Sequence, residues 1–193
     1  LRLRGHEVTI FERREFLGGV GVEGSVADFK SDYRFFVDYQ ITQVRKLGIE
    51  VVHKTATAAD VKGFEVAVVA TGGMSTRPDV PGVDNPSVVD AVPIFLDDST
   101  VGQRVIVLGG GETAVETALY LDQRGREVTL LHRRAELMNR DVAITDKIAY
   151  SGMLAKTAIK VVLGQQVIEF GPGFVRTRDE AGGLHRHDAD TIA

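Results

Sequence analysis

The stretch Val105-Ile106-Val107-Leu108-Gly109-Gly110-Gly111-Glu112-Thr113-Ala114-Val115-Glu116-Thr117-Ala118-Leu119-Tyr120-Leu121 decides the fold. Its four leading branched apolar residues read as a strand buried on both faces of a parallel sheet. Three glycines then break the strand, and Ala114, Ala118 and Leu121 recur at helical spacing after them. Gly109, Gly111 and Ala114 fit G-x-G-x-x-G/A. The first glycine permits the tight turn, the second lets the backbone approach a pyrophosphate, and the small third residue lets helix and strand pack closely. The phosphates would rest on amides at the positive end of the helix. A second strand, Glu127 to Leu131, follows in the required order, so a nucleotide-binding βαβ unit is expected rather than a bland glycine-rich turn.

The chain has 193 residues, enough for one domain or two small ones, and its 44% hydrophobic and 26% charged content is ordinary for a globular protein. A net charge of −4 argues against a nucleic-acid-binding surface. No apolar run approaches membrane-spanning length and no segment resembles a signal peptide, so no membrane partner is expected and a cytoplasmic location is the default. Without cysteine these residues offer no disulfide framework, no iron–sulfur ligand set and no C-x-x-C redox pair.

Residues Arg4 to Arg14 (Arg-Gly-His-Glu-Val-Thr-Ile-Phe-Glu-Arg-Arg) match Arg124 to Arg134 (Arg-Gly-Arg-Glu-Val-Thr-Leu-Leu-His-Arg-Arg) at a constant offset of 120. An internal repeat reframes the fold. The second copy closes a helix and forms the second strand of a βαβ unit, so the first copy is expected to do the same. Its own glycine loop would fall about ten residues before Leu1, with Leu1 and Leu3 as the tail of a helix. Apolar residues from Asp28 to Leu47 keep helical spacing up to Gly48. Ile49 to Val52 and Glu65 to Ala70 read as strands, with a helix start at Thr57-Ala58-Ala59-Asp60. Four of five prolines fall between Met74 and Ile94, marking a connector, and a boundary is expected near Thr100. The expected domains are therefore 1–99, a partial module with its connector, and 100–193, the module with the intact glycine loop. Beyond the second unit come a helix over Thr145 to Thr157, a strand over Lys160 to Leu163 and an antiparallel meander over Gln166 to Phe170, Phe174 to Arg178 and Leu184 to His187. Asp190 to Ala193 resembles the entry to a further strand. The expected fold is α/β, two tandem Rossmann-like modules with a parallel sheet and a meander, both ends cut within elements.

The two copies differ where the adenosine ribose is read. An acidic side chain after the second strand accepts bonds from ribose hydroxyls and repels a 2′-phosphate, which calls for basic groups instead. Copy one carries Glu12 there, followed by Arg13, and is expected to hold an unphosphorylated ribose, as in FAD. Copy two carries His132, followed by Arg133 and Arg134, and is expected to favour NADPH over NADH, with Arg133 as the 2′-phosphate ligand. Arginines follow the strand in both copies and also fit a solvated charge cluster, so the Glu12/His132 exchange is what discriminates. Gly18 and Gly19 fit either an approach to flavin phosphates or a simple turn. Ala70-Thr71-Gly72 fits a cofactor-proximal corner. Glu112 suits the first helical turn if it points away from the phosphates. His185 and His187 alternate along one strand face, but no further ligand is placed to complete a metal set, so no metal is expected. No catalytic side chain is expected either, because the chemistry would belong to the cofactors.

Phe11-Glu12-Arg13-Arg14-Glu15-Phe16-Leu17-Gly18-Gly19, then Ala70-Thr71-Gly72 and Gly109-Gly110-Gly111, resemble the flavoproteins with two dinucleotide-binding domains. Phe29-Lys30 before the long helix and Arg45-Lys46-Leu47-Gly48-Ile49-Glu50-Val51 after it look most like the C-terminal half of the NADH:flavin oxidoreductases of the old yellow enzyme class, such as 2,4-dienoyl-CoA reductase and trimethylamine dehydrogenase. The resemblance implies the electron-input part of a flavin-dependent oxidoreductase, passing a hydride from NAD(P)H to FAD. It implies Glu12 at the FAD ribose, Gly18 and Gly19 at its phosphates, Thr71 and Gly72 near FAD, and Gly109 to Thr113 at the NAD(P) pyrophosphate. FMN and an iron–sulfur cluster would sit on an N-terminal barrel domain or partner subunit outside these residues. Gly109 to Ala114 with His132-Arg133-Arg134 is also similar to the thioredoxin reductase NADPH module, and glutamate synthase small subunits share the paired modules. A non-catalytic domain holding ADP as a scaffold and a truncated product without a function of its own complete the alternatives.

Overall fold

The computed structural model describes residues 1–139 and 142–193. In its first unit, Leu1–Met74, a short 3-10 turn over Arg2–Arg4 ends at Gly5, and the chain enters strand β1, Thr9–Glu12. A turn at Gly18 and Gly19 leads to helix α1, Val20–Gly24, and a 3-10 turn over Asp28–Lys30 leads to helix α2, Ser31–Lys46. A Cβ at Gly18 would lie 2.7 Å from Val22 and 3.2 Å from Val37, so the glycine lets both helices close on the turn. Strand β2, Glu50–His53, pairs parallel with β1. Among the described residues of this unit only Ala27 and Val37 are buried apolar side chains.

Two expectations fail here. Glu65 to Ala70 forms no strand, and Val66, Val68 and Val69 stand exposed. A β-branched run becomes a strand only beside a neighbour that takes its amides and carbonyls, and the two-stranded sheet of β1 and β2 does not reach it. Thr57 to Asp60 starts no helix. The cap itself forms, since Asp60 Oδ2 accepts from Thr57 N and Oγ1, each at 2.8 Å, and Asp60 also pairs with Lys54. These bonds, Lys54 foremost, hold the Asp60 carboxyl down at about 2. Gly63 follows three residues on, and the costly first turn is never repaid by propagation.

The second unit runs from Ser75 to Ala193. After the short helix α3, Ala91–Ile94, come strand β3, Arg104–Leu108, helix α4, Glu112–Gln123, and strand β4, Glu127–Leu131. Helix α5, Ile144–Leu154, and strand β5, Lys160–Val162, follow. Strands β6, Gln165–Gly171, β7, Phe174–Asp179, and β8, Leu184–Asp188, form the antiparallel meander, and β9, Thr191–Ile192, ends the chain. The parallel sheet has the order β5-β4-β3-β9. Its core joins Ile106, Leu131 and Ile192 to Phe170 and Val175 of the meander. Val80, Val83 and Val88 pack on that cluster, Phe170 N bonds Pro81 O at 2.8 Å and Val89 N bonds Ile192 O at 2.8 Å. The proline-rich connector therefore packs with the second unit, and contacts divide the chain after Met74 rather than near Thr100, because its valines supply apolar surface that the core takes up.

The repeat persists in the backbone. Gly5 and Gly125 both take positive φ, and Thr9 and Thr129 oppose Glu50 and Lys160, the first residues of β2 and β5. Met138, 120 positions after Gly18, also has positive φ, at 50°. Among the described residues no helix is long and apolar enough to cross a membrane.

Candidate nucleotide-binding site

The glycine stretch forms the expected strand-to-helix bend. Gly109, at the end of β3, has a φ of 141° that L side chains rarely adopt, and a Cβ there would come within 3.0 Å of Ala114 Cβ. Gly111 is the N-cap of α4 and no side chain caps the helix. The first α4 ladder bond at this end runs from Val115 N to Gly111 O at 3.2 Å, so the amides of Glu112, Thr113 and Ala114 precede it. A Cβ added at Gly111 would meet nothing within 4 Å. Open space before a run of early helix amides fits a pyrophosphate. Ala114 is buried, as close helix–strand packing requires, and Thr113 O accepts from Thr117 Oγ1 at 2.7 Å.

The loop after β4 lies against this bend. The His132 ring packs on Gly110 so closely that a Cβ there would sit 2.4 Å from Cδ2. His132 Nε2 is buried without a hydrogen-bond partner. Burial first, then the charges of Arg134 and Arg133, hold the imidazole below its ordinary 6.5, so it is neutral near pH 7. Arg133 is exposed and Arg134 Nη1 bonds Asn139 Oδ1 at 3.1 Å. Met138 N closes the loop onto Gly110 O at 2.6 Å. Met138 is buried and strained in the left-handed region, and the sequence carried no signal for this contact.

Glu116, one turn beyond Glu112, was also missed. Its buried carboxylate accepts from Tyr150 Oη on α5 at 2.5 Å. Burial, the bond to Glu116 and the charge of Glu112 raise the phenol well above its usual range, so the proton stays on Tyr150. Glu112 thus acts toward α5 as well as on the helix dipole.

In the first unit, Glu12 ends β1 and its Oε1 accepts from Arg14 N at 2.9 Å. Arg13 is exposed. Arg14 Nη1 pairs with the buried Glu23 of α1 at 2.7 Å and reaches Gly19 O at 3.5 Å, which ties the Gly18-Gly19 turn to the residue after Glu12 and Arg13. Ala70, Thr71 and Gly72 lie exposed outside any helix or strand. His185 and His187 make separate bonds, His185 Nε2 to Asp179 Oδ2 at 2.6 Å and His187 Nε2 to Gln165 Oε1 at 2.8 Å, and no metal-holding group of side chains occurs among the described residues.

The cinnamate reductase of Clostridium sporogenes is 34% identical over 139 residues, 70% of this chain and 21% of its own. A solved 2-naphthoyl-CoA reductase aligns with 99% of this chain and 29% of its own, at 30% identity and a TM-score of 0.91. Histamine dehydrogenase from Rhizobium sp. 4-9 aligns with 100% of the chain and 32% of its own at a TM-score of 0.79, and at 23% identity it shows the fold alone. The chain therefore spans from 21% to 32% of the length of these relatives. The model described as pyridine nucleotide-disulphide oxidoreductase matches residues 1–178, which include the bend at Gly109 to Gly111 and both copies of the repeat. By that match, the chain belongs to the pyridine nucleotide-disulphide oxidoreductase family.

Proposed function

We propose that the chain is the electron-input part of a flavin-dependent oxidoreductase, with NADPH held in the second unit and FAD in the first. When bound, the nicotinamide supplies a hydride and the flavin accepts it. The chain's own residues bind and orient. Gly109 to Gly111 admit the pyrophosphate, the amides of Glu112 and Thr113 hold it, and Arg133, with Arg134 beside it, takes the 2′-phosphate. His132 supports the turn through its ring against Gly110. In the first unit Glu12 would take the FAD ribose, with Gly18 and Gly19 at its phosphates and the Ala70-Thr71-Gly72 segment near it. The observation that carries the reading is the uncapped α4 terminus with open space at Gly111 and a basic loop fastened beside it. The substrate chemistry of the whole protein, with any FMN or iron–sulfur cluster, belongs in this reading to a further domain or subunit.

Titration with NADPH and NADH tests it. Arg133→Ala is expected to weaken NADPH by roughly 1–3 kcal/mol, the worth of a charge-assisted bond, and to leave NADH almost unchanged. Equal losses would remove the 2′-phosphate assignment. The small core of the first unit, Ala27 and Val37 among its described apolar side chains, favours a second reading, a nucleotide held as a scaffold without hydride transfer. Tight ADP binding without a flavin spectrum that NADPH bleaches would select it.

A further inference from the structure

The turn between β5 and β6 grips the loop that follows β4. Gly164, at φ 70°, donates its amide to Arg134 O at 3.0 Å, and Gln165 N donates to His132 O at 3.3 Å. Arg133 therefore lies between two carbonyls held by one turn. His132 N donates to Val162 O at 2.8 Å, so the loop is sewn to the end of β5 as well.

The Gln165 side chain anchors that turn to the meander. Its Oε1 accepts from Thr177 Oγ1 on β7 at 2.7 Å. His187 Nε2 on β8 lies 2.8 Å from the same oxygen and 3.2 Å from Thr177 Oγ1. These distances are satisfied together when the hydroxyl donates to the amide oxygen and the imidazole shares an Nε2 proton between the two oxygens. Thr177 is fully buried, where an unpaired hydroxyl is costly, so the three side chains constrain one another. One glutamine thus links all three meander strands to the residues flanking Arg133.

We infer that Gln165 is a positioning residue for coenzyme selectivity, fixing the backbone of Arg133 where the adenosine 2′-phosphate arrives, and that Thr177 and His187 act through it. The inference rests on the proposed reading of Arg133. An exposed arginine on a loose backbone spends part of its interaction energy on being ordered, whereas one on a fixed backbone does not. NADH makes no 2′-phosphate contact, so its binding is the internal control.

The test measures NADPH and NADH dissociation constants on the full chain for Gln165→Ala, Thr177→Val, Arg133→Ala and the Arg133→Ala/Gln165→Ala double variant, with thermal melts alongside. Gln165→Ala and Thr177→Val should each weaken NADPH about 3- to 10-fold, the effect of one hydrogen bond, and NADH less than about 2-fold. In the Arg133→Ala background, Gln165→Ala should cost NADPH nothing further, since both changes remove the same contact. Thr177→Val keeps the shape of the buried side chain and serves if Gln165→Ala does not fold. Equal losses for both coenzymes, or losses that add to that of Arg133→Ala, would make Gln165 structural only and overturn the inference. If Arg133→Ala itself leaves the NADPH:NADH ratio unchanged, the 2′-phosphate reading fails and this inference falls with it.

Discussion

Gly110 and Gly111 are neighbours with opposite surroundings, and the contrast separates support of the bend from binding by it. A Cβ at Gly110 would lie 2.4–2.6 Å from three atoms of the His132 ring, while a Cβ at Gly111 would enter open space. Gly110→Ala must displace the ring or the bend, at about 1–3 kcal/mol of stability by denaturant melts. Gly111→Ala should keep stability within about 0.5 kcal/mol and yet weaken NADPH by roughly tenfold or more, because the methyl takes the space of the phosphates. Undiminished NADPH affinity in Gly111→Ala would move the pyrophosphate elsewhere. Acid should also be felt at His132. Its folded imidazole is held below the ordinary 6.5, so the unfolded chain binds a proton first and stability drops as pH falls through that value. His187, lowered by burial and by Lys160 and His185, adds in the same direction. Melts at about pH 7.5 and about pH 5.5 should show the loss, reduced by His132→Asn and further by adding His187→Asn. A loss of unchanged size in the double variant would contradict the assignment.

Helix α5 is held to α4 by the Tyr150–Glu116 bond, at the turn after the amides of Glu112 to Ala114. Tyr150→Phe takes one donor from a buried carboxylate and is expected to cost about 1–3 kcal/mol in thermal or urea melts. A change near zero would show that α5 docks without it. Helices and strands with sustained apolar periodicity, such as Asp28 to Leu47 and Val105 to Leu121, were legible because their pattern spans several turns. Helices α1 and α3, with five and four residues, are too short to show a period. Glu65 to Ala70 has the composition of a strand, but pairing depends on a neighbour that composition does not encode. In the candidate site, the strand-to-helix bend at Gly109 to Gly111 was legible from spacing, and the repeat placed His132 to Arg134 directly after β4. Met138 and Gln165 were not, since their partners lie far along the chain and no local motif marks them.

Across the whole molecule the burial is uneven. The second unit centres on fully buried Ile106, Leu119, Leu121, Leu130 and Ile192, whereas the first buries only Ala27 and Val37 among its described apolar side chains. The second unit therefore has the core to hold its glycine bend in place, and the first has less core to hold its own turns. Its repeat of the β-strand pairing, Thr9 against Glu50 as Thr129 stands against Lys160, gives it the frame of a nucleotide module without an equal core. Amide-resolved hydrogen exchange on the full chain, with and without NADPH, tests the central claim most directly. The amides of β3 and β4 should be protected in both states and those of Glu65 to Gly72 in neither, while Glu112, Thr113 and Ala114 should slow only when NADPH is added. Protection by NADPH that appears elsewhere and leaves those three amides unchanged would contradict the account.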